Sequence, residues 1–177
     1  MRAIAEAAGA NVASANYHYG SKLKLFEAAF EHCAAPINAH RLHLLDTLML
    51  KTKKPNAEAV VRAFVDVGHV VHSDPFFPRL VARIFVEPQS FARPLLERVF
   101  GPVVQRFVEA LALALPALDR HEIEWRFHFV IGAMLQLIRV DHPLHLEESQ
   151  AQVLSPEQQT EALLDFVVPG LIRGSSV

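Results

Sequence analysis

Two groups of residues have the types and spacing that could do chemistry. The first is near the start: Gly9, then Asn11 to Tyr19 reading NVASANYHY, then Gly20-Ser21-Lys22. Ala13, Ser14 and Ala15 are small enough to let a backbone approach base edges in a DNA major groove, and the Tyr, His and Lys side chains that follow can reach phosphates. The second group is the histidines. His40-x-x-His43 and His69-x-x-His72 each place two rings on one helix face. A zinc site wants three or four convergent ligands, and a di-iron bundle wants Glu-x-x-His twice with two further glutamates. Neither set is found, so hydrogen-bonded or solvated histidines are the plainer reading. There is no P-loop, no Gly-x-Ser-x-Gly, no dinucleotide fingerprint and no spacing that points to a triad. Neither an enzyme nor a cofactor is expected.

The elements that must position these residues are helices. Val/Ile/Thr-rich alternating segments do not recur, glycine is scarce, and Ala and Leu abound, so the fold class is all-α. With 177 residues the chain can bury one sizeable core, or a small head plus a larger body. No apolar run is long enough to span a membrane and the start is no signal peptide. The single cysteine, Cys33, excludes an internal disulfide, reads as a buried structural thiol and suits a cytoplasmic protein. Residues 1–54 carry seven Lys and Arg against four Asp and Glu, a net +3, which leaves -5 on the remainder. A basic head on an acidic body suits a chain that touches nucleic acid at one end.

In order, the pattern predicts a short helix over Arg2–Ala8 stopped by Gly9, and a second over Val12–His18 capped by Asn11. A third starts at Ser21 and is kinked or broken by Pro36 before resuming to Met49. Lys51–Asn56 is a linker, followed by a helix over Ala57–His72. A short helix around Leu80–Phe85 ends near Pro88. A long one over Phe91–Leu115 has Pro94 in its first turn and a kink or break at Gly101-Pro102. The helix over Arg120–Val140 is apolar nearly all round in its second half, which places a core on one side and a partner subunit on the other. After a polar loop, Ser155-Pro156-Glu157 opens a last helix that Pro169-Gly170 should stop.

Gly9, Tyr17-His18-Tyr19 and Gly20-Ser21-Lys22 resemble the signature of the TetR (tetracycline-repressor) family of bacterial transcription regulators. Arg79–Arg83 and Trp125–Phe129 look like a subgroup with a proteobacterial-type C-terminal domain. The resemblance implies a helix-turn-helix DNA-binding head with its connecting helix over 1–50, and a helical regulatory and dimerisation body over 51–177. It also implies a helix ahead of the motif. Met1 falls inside or just before the motif's first helix, so the head is expected to lack that support, with Ile4, Phe26 and Phe30 losing cover. Carried over position by position, Asn11, Ala13, Ser14 and Asn16 would lie nearest the bases, and Arg2, Tyr17, His18 and Lys22 would touch phosphates of double-stranded operator DNA.

The same resemblance implies a homodimer through the last two long helices and an effector pocket formed by the earlier body helices. Candidate pocket residues are Phe64, Gly68, His72, Phe85, Phe107, Trp125 and Phe129, with Arg83, His69 and His128 as further polar groups. The ligand would be small and apolar or amphipathic, a fatty acid or an aromatic compound. Two functions follow. One is a repressor released from a palindromic operator by such an effector. The other is a helical dimeric small-molecule-binding or interaction protein that does not bind DNA in this truncated form. An in-frame helix encoded upstream of Met1 would favour the first.

Overall fold

A computed structural model describes residues 2–66, 74, 76–138 and 154–174, apart from the side chains of Ala3, Leu137 and Ile138. Among them every regular element is a helix, and none is long and apolar enough to cross a membrane. Helix α1 (Arg2–Ala7) stops at Gly9, whose φ of 62° makes the left-handed turn that a Cβ would resist. The Gly9 N–H donates to the Glu6 carbonyl and the Ala10 N–H to Ala5, so the orphan carbonyls of the last turn are taken. Asn11 caps α2 (Val12–Tyr19), its side-chain oxygen accepting from the Ala13 N–H at 2.8 Å. Gly20, with φ 67°, turns the chain again, and Ser21 caps α3 through the Lys24 N–H at 3.2 Å. Gly9, Asn11 and Ser21 act as the sequence predicts.

Helix α3 (Lys22–Lys51) runs unbroken through Pro36. The ring removes one backbone donor, but His32 and Pro36 are both exposed, so water can take the freed carbonyl. Burial of Phe30, Ala34, Ile37, Arg41 and Leu45 along one face holds the helix together across the gap. Asn56 caps α4 (Ala57–Val65), which ends at Asp66. The rest of the helix expected to reach His72 lies outside the described residues.

Helix α5 (Phe77–Ile84) leads to α6 (Gln89–Ala114), and here the expected start of the helix and the break, as one of the two outcomes expected at Gly101-Pro102, do not hold. The helix starts earlier than predicted, so Pro94 lies beyond its first turn, and Gly101-Pro102 does not break it. Asn38 Nδ2 donates to the Val99 carbonyl at 2.7 Å, engaging the acceptor three residues before Pro102. Ion pairs of Arg98 with Glu31 at 2.7 Å and of Arg106 with Asp46 at 2.6 Å fasten α3 to α6 on either side of that bond.

Helices α7 (Arg120–Ile138) and α8 (Pro156–Ile172) complete the bundle. Ser155 and Gln158 form a reciprocal cap on α8, with Oγ accepting from Gln158 N–H and Oε1 accepting from Ser155 N–H. Contrary to expectation, α8 continues past Pro169-Gly170. Buried Leu171 anchors its last turn, and Arg126 donates to the carbonyls of Leu171 and Arg173 at 2.7 and 2.6 Å.

Buried side chains fall into two clusters. One joins the second half of α3, through Leu45, to α4, the second half of α6, α7 and α8 around Val60, Phe64, Phe107, Leu111, Ile123 and Phe127. The other joins α3, α5 and the first half of α6 around Phe30, Ile37, Phe77, Ile84 and Leu95. Each large side chain fully buried contributes about 1.5–3 kcal/mol relative to exposure.

Candidate functional site

Where the two clusters meet they leave a cavity of about 360 Å³. From α3 come Phe30, Ile37 and Arg41; from α4, Phe64; from α5, Phe77, Val81 and Ile84, with Phe85 just beyond. Helix α6 adds Leu96, Glu97, Phe100, Gly101 and Val104, and α7 adds His128, Ile131, Met134 and Leu135. Gly101 faces open space, so this position keeps the cavity wide. Phe30, Phe77 and Phe100 form one aromatic wall, with the Phe30 ring centroid 6.4 Å from that of Phe77 and 5.9 Å from that of Phe100.

Arg41 is the polar group set into this wall. It is 3 % exposed. Its Nε–H donates to the Phe64 carbonyl at 2.8 Å, an acceptor in the last turn of α4, where the helix dipole favours a cation. Its guanidinium carbon stands 4.0 Å from the centroid of the Phe64 ring, a cation–π contact, and one Nη contacts Met134 Sδ at 3.1 Å. No Asp or Glu among the described residues pairs with it. Burial pushes its pKa down from the ordinary arginine range to about 9, so it remains a cation at neutral pH. The other ionisable groups on the cavity are turned to other partners. Glu97 accepts from Arg93 at 2.7 Å, and exposed His128 places Nδ1 2.7 Å from the Glu124 carbonyl. A carbonyl can only accept, so that nitrogen carries the proton and Nε2 is left for the rim.

The second candidate region is α2. It buries none of its side chains. Val12 and Ala15 are its half-covered residues, and Ala13, Ser14, Asn16, Tyr17 and His18 are exposed around the opposite face. Tyr17 and His18 meet edge to face at 5.4 Å. Lys22 and Lys24 stand exposed in the first turn of α3, where no acidic residue offsets them. Of the residues expected at DNA, Arg2 is held by Glu6 at 2.9 Å, and Asn11 uses its side-chain oxygen as the cap.

A family model described as "Tetracyclin repressor-like, C-terminal domain" matches residues 58–170, more than half of the chain and most of the cavity wall. The chain belongs to that family. It is thereby placed among ligand-responsive transcriptional regulators, with the all-α fold expected of them. A search of curated proteins finds no match.

Within this tetracycline repressor-like chain, Phe64 and Phe85 of the predicted ligand set line the cavity. Phe107 is fully buried in the core behind Phe64, at 5.0 Å between rings. Trp125 and Phe129 lie on the outer face of α7, 57 % and 69 % exposed, and do not line the cavity. Gly68, His69 and His72 lie outside the described residues. Arg83, offered as a polar partner, turns to Glu87 at 2.6 Å. No cluster that could hold a metal occurs among the described residues. Phe30 is fully buried by Phe26, Phe77 and Phe100, against the expectation that it would lose cover, whereas Ile4 is exposed. Sequence reasoning missed Arg41 because one arginine in a helix with several polar residues reads as a solvated face. The signal was available: Arg41 stands four residues after Ile37 and four before Leu45, on the apolar stripe of α3.

Proposed function

We propose that the protein is a dimeric repressor that leaves a palindromic operator when a small apolar or amphipathic effector fills the cavity. The observation that carries this reading is α3. Its first turn holds Lys22 beside the exposed face of α2, and the same helix supplies Phe30, Ile37 and Arg41 to the cavity. Nineteen residues separate Lys22 from Arg41, about 28 Å of helix. A ligand that binds more tightly to one placement of α3 therefore biases where α2 is held. In this reading the regulatory part lies over 51–177, which contains the matched residues 58–170, and the DNA-reading part over 1–50.

The partner is a second copy. Helix α7 presents Trp125 and Phe129, and α8 presents Phe166 at 77 % exposure together with exposed Ala162 and Pro169. Such an apolar surface on two neighbouring helices is costly in water and is what an isologous interface buries. Two copies would offer one α2 to each half-site. A second reading, a dimeric ligand-binding protein without DNA affinity, is favoured by the thin packing of α2, which buries no side chain of its own.

A gel-shift titration on DNA flanking the protein's own gene tests both. Lys22→Ala should weaken binding to all sequences and lower the salt slope by about one, while Ser14→Ala should change sequence preference. If neither change alters the titration, α2 is not the reading helix. If wild-type protein binds no DNA, the second reading stands. An effector must also lose affinity in the presence of operator by the factor by which it weakens operator binding.

A further inference from the structure

We propose that the cavity is built for an apolar monocarboxylate that enters head-first and places its carboxylate on the guanidinium of Arg41. This deepens the effector reading above by naming the ligand's chemistry, and it rests on the same cavity. A neutral apolar ligand would need no charge in the wall. Yet the wall carries a cation, removed from water and without a carboxylate partner among the described residues. Its five N–H donors include one spent on the Phe64 carbonyl and one directed at a thioether, which is a weak acceptor. The remainder have no acceptor among the described residues, and the residue faces the cavity. A carboxylate is the group that matches a guanidinium in charge and in its two-pronged geometry.

The direction of entry follows from exposure. Arg41 is deep, whereas Phe85 is 59 % exposed and His128 is exposed, which puts the mouth at their end. The tail then lies along Phe30, Phe77, Ile84 and Phe100 and points outward. Glu97, the only carboxylate on the wall among the described residues, is engaged by Arg93 and does not compete for Arg41. At roughly 30 Å³ for each water-sized group, the cavity takes about a dozen such groups, which sets a ligand of about ten carbons rather than a long lipid or a coenzyme conjugate.

The test measures binding to the full chain by calorimetry, without DNA, for decanoate, decanol and decyltrimethylammonium. Decanoate should bind at least tenfold more tightly than decanol, and the cation should bind least. Arg41→Met should erase the preference for decanoate while leaving decanol binding within a few-fold, and Arg41→Lys should restore part of it. Equal affinity for decanoate and decanol in the wild type overturns the proposal, and so does a preference for decanoate that survives in R41M. Should R41M fail to fold, the wild-type series and R41K decide alone. Decanoate that binds through Arg41 yet leaves operator binding unchanged would uphold this inference and sink the repressor mechanism, so the two fail separately.

Discussion

At the scale of single residues, Arg41 and Cys33 are ionisable groups moved far from their ordinary behaviour, and each makes a pH prediction. Burial pushes Arg41 down to about 9, so its cation is present at pH 7 to 8 and is lost as the pH rises through about 9. Affinity for an anion should therefore be flat between pH 7 and 8 and then fall by about tenfold per unit above 9, where an ordinary arginine would hold to about 12. His128→Gln should keep that fall, and a profile level to pH 11 would show that burial does not bring Arg41 down to about 9. Cys33 moves the other way. Burial first, and then the hydrogen bond and charge of Asp74, push its thiol up to about 11. It is half-buried rather than fully so, and its reaction with a water-soluble disulfide reagent should be slow at pH 7, rising about tenfold per unit towards 11. Asp74→Asn removes the neighbouring charge and should speed that reaction at any given pH; an unchanged rate would mean that Asp74 does not hold the thiol.

At the scale of elements, the exposed apolar stripe on α7 and α8 makes the prediction. Phe166→Glu or Trp125→Glu should leave the fold intact, because both side chains are largely in solvent, but should convert a dimer to a monomer in sedimentation at micromolar concentration. Wild-type protein that already sediments as a monomer would end the idea. Much of the element plan was legible in the sequence. Asn11, Ser21, Asn56 and Ser155 announce helix starts through short-range bonds to residues two or three further on, which need no tertiary partner. The prolines misled because their cost depends on who takes the freed carbonyls and what the far side buries. Pro36, Pro102 and Pro169 are all tolerated inside helices; exposed His32 leaves the carbonyl freed by Pro36 to water, and Asn38 bonded to Val99 and Arg126 bonded to Leu171 hold α6 and α8 in place near the other two. The cavity was illegible for a related reason. Trp125 and Phe129 have the composition of a pocket, but only the rotation of α7 decides that they face outward while His128, Ile131 and Met134 line the cavity.

At the scale of the whole molecule, the two apolar clusters are separate groups of buried side chains that both draw on α3 and α6, with the cavity at the seam. Empty, the seam forfeits contacts on both sides; filled, it joins the clusters through one ligand. Thermal unfolding of the free protein should thus be broad, and a saturating ligand at 100 times its Kd should sharpen it and add about 2.7 kcal/mol of stability. A single sharp transition with identical width in both states would show that the clusters are already one cooperative unit. The seam also bears on how long each molecule survives. Proteases cleave the transiently opened population, so a protein whose two halves are bridged by its effector is degraded more slowly than the empty form. The signalling molecule would then govern the abundance of its own sensor: cells that have met it would retain a larger stock of regulator, ready to reoccupy DNA once the signal is gone.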